Sequence, residues 1–212
     1  RVDVQGLLED ESVHTTLAVV SVDAHGERSF AFYRAPGADL MLSQSEVRDA
    51  LLSETRFLHF GSVSLTADPA REATLYAARR AKELGALISY DPNFRPALWP
   101  DEATAIRWMR VPLGMVDVLK VSEEELVLMS DTDVLEDGAQ ALAEKGIRLV
   151  LVTLGAKGVY YRWGDLTGTI PGYAVQVADT NGAGDTFFGA VLSKLSRRGG
   201  GLDSLSRQEL ED

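Results

Sequence analysis

Ile147-Arg148-Leu149-Val150-Leu151-Val152-Thr153 is an aliphatic, β-branched run broken only by Arg148. A strand with one face in water would alternate polar and apolar residues. This run does not, so it reads as a strand buried on both faces. Just before it, Glu136 to Lys145 has helical spacing. Further upstream, Val116 to Val121 reads as a strand, and a helix starts at Ser122. Asp101 to Arg110 is helical, and Ala86 to Tyr90 is another apolar run. Asp68-Pro69 opens a helix carrying Ala73, Ala77, Ala78, Ala81 and Leu84, with Gly85 as its stop. Phe57 to Phe60 is a short apolar run ended by Gly61. Ser43-Gln44-Ser45-Glu46 has the form of a capping box ahead of Val47, Ala50 and Leu51. Alternating strands and helices of this kind predict a mostly parallel sheet with helices on both faces, a three-layer α/β domain of Rossmann-like type.

Downstream, Gly158 to Val177 is helix-poor and holds two or three short strands. A helix opens at Gly184 or Asp185 and runs through Lys194. Arg197 to Gly201 is a flexible connection, and Ser206 starts another helix. At the other end, Thr15 to Val22 and Ser29 to Arg34 read as strands joined by a turn at Asp23-Ala24-His25-Gly26. The expected organisation is a small β segment over residues 1–36 and an α/β core over 37–212.

The 212 residues are 45% hydrophobic and 25% charged, which is ordinary globular composition. There is no cysteine, so disulfides, thiolate metal sites and cysteine nucleophiles are excluded. The net charge of −11 suits nucleic acid poorly as a partner, because that binding needs clustered Lys and Arg. No run reaches the ~18 apolar residues of a membrane span. The start, Arg1-Val2-Asp3-Val4, is neither an initiator Met nor a signal peptide. The histidines at 14, 25 and 59 lack metal-binding spacing.

Asp179-Thr180-Asn181-Gly182-Ala183-Gly184-Asp185-Thr186-Phe187-Phe188-Gly189 carries the chemistry. Two glycines flank an alanine at a predicted helix N-terminus. Unpaired N–H groups and the helix dipole there favour an anion, and small residues let it approach the backbone. Asp185 falls in the first turn. An anion cradle beside a carboxylate suits phosphoryl transfer, with Gly182, Ala183 and Gly184 holding the charge and Asp185 as base. A glycine-rich loop with an Asp capping a helix would use the same residues.

The whole string resembles the signature Asp-Thr-x-Gly-Ala-Gly-Asp-x-Phe-x-Gly of the ribokinase-like (PfkB-type) carbohydrate kinases. No P-loop and no protein-kinase pattern is present. Other segments match that family in order. Thr153-Leu154-Gly155-Ala156-Lys157-Gly158 resembles its nucleotide loop, which implies that Thr153, Gly155, Lys157 and Gly158 bind ATP; a tight turn is the plainer reading. Asp91-Pro92-Asn93-Phe94-Arg95 with Leu98-Trp99 resembles the segment of fructokinases and 2-keto-3-deoxygluconate kinases, which implies sugar or phosphate contacts for Asn93 and Arg95. Tyr33 and Arg34 end a strand that in the family belongs to a lid over the sugar; packing between strands is the alternative for Tyr33.

Lys120-Val121-Ser122-Glu123-Glu124-Glu125 is similar to the family's Asn-x-x-Glu segment, with Ser122 in place of Asn. The resemblance gives Glu125 an indirect role at Mg²⁺, although Ser122-x-x-Glu125 is also a plain capping box. Asp179 is implied at a monovalent-cation (K⁺) loop, or else only fixes the turn. The family's N-terminal third and its C-terminal Asn-x-x-Gly-Ala helix have no counterpart here, so both ends read as cut.

The resemblance implies the ribokinase-like fold and an ATP-dependent kinase of a small sugar. Fructose is favoured; 2-keto-3-deoxygluconate or another small sugar such as ribose is the alternative. ATP and Mg²⁺ are the implied co-substrate and ion, a homodimer through the lid the implied assembly, and the cytoplasm the implied compartment. An inactive binding module of the same fold is the reading from another class.

Overall fold

The computed structural model describes residues 2–22, 28–176, 180–198 and 201–211. The predicted turn at 23–26 and the Asp179 assignment lie outside them. The described elements are two strands, β1 (Leu17–Val22) and β2 (Arg28–Tyr33), followed by a strand–helix alternation. That alternation runs α1 (Asp49–Ser53), β3 (Phe57–Gly61), α2 (Ala70–Glu83), β4 (Leu87–Asp91), α3 (Glu102–Arg110), β5 (Val118–Ser122), α4 (Glu123–Ser130), α5 (Leu135–Ala143) and β6 (Leu149–Thr153). It closes with β7 (Val159–Trp163), β8 (Leu166–Ile170), α6 (Ala183–Arg197) and α7 (Arg207–Glu211).

β3 to β6 are parallel neighbours in chain order, and β7 and β8 continue the same sheet antiparallel. This is the predicted mostly parallel arrangement. Side-chain parity divides its two faces. Ile88, Tyr90, Leu119, Val121, Val150 and Val152 pack with Ala78, Met109, Met129 and Leu142 from α2 to α5. Val118, Leu149, Leu151 and Tyr161 pack on the other face with Phe188 of α6 and with Leu202 and Leu205. The central strands are therefore buried on both sides, as the Ile147–Thr153 run requires.

Local signals set most boundaries. Asp101 accepts a hydrogen bond from Thr104 N at 2.7 Å and starts α3. Ser122 and Glu125 form a reciprocal capping box at α4. The Ser43–Glu46 box is present as well, but it caps a single 3₁₀ turn over Gln44–Glu46, and the helix expected there shrinks to the five residues of α1. A capping box satisfies a helix start; it does not supply the buried stripe that lengthens a helix. α6 is longer than expected and starts at Ala183 because Gly182 caps it at φ +73°.

β1 and β2 form a separate antiparallel pair with Leu17 opposite Tyr33. Arg34, next after β2, is one link to the core. That guanidinium bonds Asp39 at 2.7 Å, Thr66 Oγ1 at 2.7 Å and the Val63 carbonyl at 2.9 Å. No described helix is long and apolar enough to cross a membrane.

Candidate active site

In a parallel sheet all strands end at one edge, and there the loops can converge. Gly61, Asp91, Ser122 and Thr153 are the last residues of β3 to β6. Those of β4, β5 and β6 are followed by segments singled out from sequence. The Asn93–Arg95 loop leaves β4, Glu125 lies in the first turn of α4 after β5, and a 3₁₀ turn over Gly155–Lys157 follows β6.

A cleft of about 640 Å³ at this edge is lined by Asn93, Arg95, Lys120, Ser122, Glu124 and Glu125 among others. The predicted sugar and ion residues Asn93, Arg95 and Glu125 thus share one cavity. Glu125 is buried, and both carboxylate oxygens accept from backbone: Oε1 from Phe94 N–H at 2.7 Å and Oε2 from Ser122 N–H at 2.9 Å. It ties the β4 loop to the β5–α4 junction, and it still borders the cleft. Asn93 holds φ +47°, with its N–H donated to Asp91 Oδ1 at 3.1 Å.

α6 lies on the opposite face of the sheet from α2 to α5, and its N-terminus is exposed at Ala183 and Asp185. The N–H of Gly184 meets no protein acceptor among the described residues. Ala183 departs from the expected trio of anion donors: its N–H closes the preceding turn on the Thr180 carbonyl at 3.1 Å. The first turn of a helix offers outward N–H groups only where no turn has already used them. The Gly182 N–H likewise has no acceptor recorded among the described residues.

The nucleotide-loop residues occupy a tight β6–β7 connection. Leu154 N–H donates to the Gly158 carbonyl at 2.8 Å, Thr153 Oγ1 donates to the Val121 carbonyl at 3.3 Å, and Lys157 is exposed. Gly158 sits at φ +102°, where a Cβ would run into the Ile170 carbonyl. The loop is a tight turn, and Lys157 on it is exposed to solvent. Tyr33 is 68% exposed, and β2 packs against the Pro96–Leu98 turn that follows Arg95. The Arg34 guanidinium, by contrast, is committed to Asp39, Thr66 and Val63, so its geometry is that of an anchor rather than a substrate contact.

Two residues without an assigned role from sequence complete the site. Asp91 and Lys120 form an ion pair of 3.0 Å, with side chains only 5% and 9% exposed. Burial pushes the Asp91 carboxyl up to about 6, Lys120 opposes the shift, and Glu125 adds to it. The signal was a lysine in the aliphatic string Val118-Leu119-Lys120-Val121, since a buried charge needs a partner. His59, on β3, approaches Ser89 Oγ at 3.2 Å and meets Phe188 edge-on at 5.3 Å. Burial lowers its pKa, and the nearby Asp185 charge opposes this.

Comparison with known proteins identifies the family of the chain. The family model described as "pfkB family carbohydrate kinase" matches residues 1–207. The chain is 44% identical to Fructokinase-1 of Oryza sativa subsp. japonica over 195 residues, 92% of this chain and 60% of that protein. It is 39% identical to Probable fructokinase-5 of Arabidopsis thaliana over 203 residues, 95% of this chain and 63% of that protein. A crystal structure of fructokinase from Vibrio cholerae O395 with fructose, ADP and calcium ion matches with TM-score 0.88 at 37% identity, covering 100% of this chain and 67% of that one. The chain thus spans about 60% of the length of these curated relatives. Fold, the order of its motifs and the match over residues 1–207 place this chain in the pfkB family of carbohydrate kinases.

Proposed function

We propose that the protein is an ATP-dependent sugar kinase that transfers the γ-phosphoryl group of ATP to the primary hydroxyl of D-fructose, giving ADP and fructose 6-phosphate. The observation that carries this is the exposed N-terminus of α6. Its Gly184 N–H has no acceptor among the described residues, Asp185 is the next residue, and Gly184 lies against Lys120, which lines the cleft with Asn93 and Arg95. Fructose, rather than 2-keto-3-deoxygluconate or ribose, is proposed because this chain resembles the fructokinases of rice and Vibrio cholerae, the latter with fructose bound.

In this reading Asp185 takes the proton of the attacking hydroxyl, so the oxygen bonds to the γ-phosphorus as the bond to ADP breaks. The N–H groups of Gly182 and Gly184 receive the charge on the transferring group. Arg95, a planar multi-donor group, and Asn93 orient the sugar and phosphate from the cleft. Thr153, Gly155, Lys157 and Gly158 form the nucleotide side. Mg²⁺, when bound with the nucleotide, screens the phosphate charge; Glu125 fits it through water, because each of its oxygens carries only one backbone N–H. A K⁺ role for Asp179 belongs to the same reading but falls outside the described residues. The β1–β2 hairpin acts as a lid that excludes water, with Tyr33 near the sugar. Leu17, Val19 and Val20 on it are exposed, which supports pairing of two lids in a homodimer. ATP as co-substrate supports a cytoplasmic setting.

The test is ADP release with Mg-ATP and fructose, 2-keto-3-deoxygluconate or ribose, on the protein in its full natural length. Turnover of fructose at least tenfold above the others supports the proposal. Preference for another sugar keeps the mechanism and overturns the substrate. ATP binding without turnover of any sugar overturns the kinase reading in favour of a binding module.

A further inference from the structure

The chain has two asparagines, Asn93 and Asn181. Asparagine is chemically labile, because the backbone nitrogen of the next residue can attack its side-chain carbonyl. Two things decide the rate: how crowded that nitrogen is, and what already holds its hydrogen. Asn93 precedes Phe94, whose side chain screens the nitrogen and whose N–H is held by the buried Glu125 carboxylate at 2.7 Å. Asn181 precedes Gly182, which has no side chain to shield it. Asn181 is exposed, and the Gly182 N–H has no acceptor recorded among the described residues. Asp137–Gly138, the chain's one Asp-Gly step, reacts by the same route more slowly, and there the Gly138 N–H is held by the Val134 carbonyl at 2.8 Å.

The fold holds the Asn181–Gly182 step in a tight turn. Ala183 donates its N–H to the Thr180 carbonyl at 3.1 Å, and Gly182 sits at φ +73° and ψ 6°. Those angles are the third position of a type II turn, so Asn181 and Gly182 are its two central residues. Gly182 is also the N-cap of α6. The positive end of the helix dipole stabilises the anionic nitrogen that must form before attack. The Lys120 ammonium, 3.0 Å from where a Gly184 Cβ would stand, adds charge of the same sign.

We propose that Asn181 is a site of spontaneous deamidation, and that this modification silences the site at the start of α6. The Gly182 nitrogen bonds to the Asn181 side-chain carbon, and the side-chain amide leaves as ammonia, carrying the Gly182 proton with it. A five-membered succinimide remains, and the Gly182 N–H is gone from it. Water then adds at one of the two ring carbonyls. Opening at one gives Asp at position 181, and opening at the other gives isoaspartate. No oxidant, reductant or enzyme is needed. Asp puts a negative charge beside N–H groups that must receive an anion, although the helix dipole favours that charge and folding is not weakened. Isoaspartate runs the main chain through the former side chain and lengthens it by one carbon, which displaces Gly182 and Gly184 from the turn closed on Thr180. The loss of phosphoryl transfer rests on the kinase reading above; the deamidation does not.

The experiment ages the full natural chain at 37 °C and pH 8, and follows it by peptide mass mapping, isoaspartate-specific methylation and ADP release. When half of the Asn181 peptide carries the amide-to-acid mass change, Asn93 should still be intact and about half of the starting rate should be gone. Asn181→Asp should transfer the phosphoryl group at least tenfold more slowly than wild type while melting no lower. Asn181→Gln, which would have to close a less favourable six-membered ring, should keep its own starting rate over the same period. An Asn181 peptide that stays intact, or converts no faster than Asn93, overturns the proposal. So does full conversion with the rate unchanged, or an Asn181→Gln protein that loses its rate as fast as wild type. If Asn181→Gln fails to fold, Asn181→Asp decides, and a rate within threefold of wild type overturns the silencing. If fresh wild type turns over no sugar, the kinase reading fails while peptide mapping still decides the modification. Titration calorimetry with inorganic phosphate then replaces the rate: binding at least tenfold weaker after ageing supports the silencing, and equal binding, or none by fresh protein, overturns it.

Discussion

Replacing Gly184 by alanine adds one methyl group at the centre of the site. Helix propensity alone favours the change by about 0.8–1.0 kcal/mol. The new Cβ, however, would stand 3.0 Å from Lys120 Nζ and 3.6 Å from its Cε. Comfortable contact needs about 3.5–4.0 Å, so the ammonium must retreat by roughly half an ångström. Lys120 has little freedom to do so, since Asp91 Oδ2 holds it at 3.0 Å and both side chains are nearly buried. Loosening a charge-assisted hydrogen bond costs about 1–2 kcal/mol. The two terms nearly cancel. The melting temperature should shift by no more than about 4 °C. The Gly184 N–H, which receives charge in the proposed transfer, and the ammonium against it would both be displaced, and kcat should fall by about 10- to 100-fold, or 1.4 to 2.7 kcal/mol. Coupled ADP release with fructose and a thermal melt on the same preparation read both quantities. A stabilised Gly184→Ala protein with kcat within twofold of wild type would refute the reasoning.

Glu125→Ala strands the N–H groups of Phe94 and Ser122, which should cost about 2–4 kcal/mol in a denaturant titration; a loss under 1 kcal/mol would show that water replaces the carboxylate freely. Gly158→Ala forces a side chain into φ +102° against the Ile170 carbonyl, and a loss of about 2–4 kcal/mol is expected; a melt unchanged from wild type would contradict the described turn. Asp91 has a folded pKa of about 6 against 3.8 for the ordinary carboxyl. Its ionised form therefore costs stability above pH 6, and that cost disappears as pH falls toward 4. Activity runs the other way, since protonation releases Lys120, which lies against Gly184. The rate should drop below pH 6 before the protein unfolds, and a rate that is flat from pH 5 to 7.5 would count against this.

Much of this was legible from periodicity. The Ile147–Thr153 run carries its own evidence of double burial; which strands flank β6 is seen only in the fold. Capping boxes located the starts of α4 and of the 3₁₀ turn at Gln44, but only buried apolar spacing sets length, and residues 47–53 bury only Leu52. The helix start at Gly182–Asp185 was legible from its small residues, whereas a role there rested on the resemblance of the whole Asp179–Gly189 string to the family signature. The state of the Ala183 N–H was not legible, since a turn bond to Thr180 is a three-dimensional fact. Arg34 read as a substrate group by its place at a strand end; its acceptors Thr66 and Val63 lie about thirty residues away and become visible only in the fold. The Asp91–Lys120 pair was half legible. A lone lysine in an aliphatic strand demands a counter-charge, and strand register supplies which one.

The central claim is that Asp185, at the N-terminus of α6, is the base of phosphoryl transfer to a sugar. Asp185 is exposed, so Asp185→Asn should leave the melting temperature within a few degrees of wild type. Single-turnover transfer from Mg-ATP to fructose in the full natural chain then isolates chemistry from product release. The account predicts a rate lowered at least 100-fold, in the range expected for removal of a general base, with ATP affinity within threefold of wild type. A variant that binds ATP normally and transfers the phosphoryl group within tenfold of the wild-type rate would contradict it.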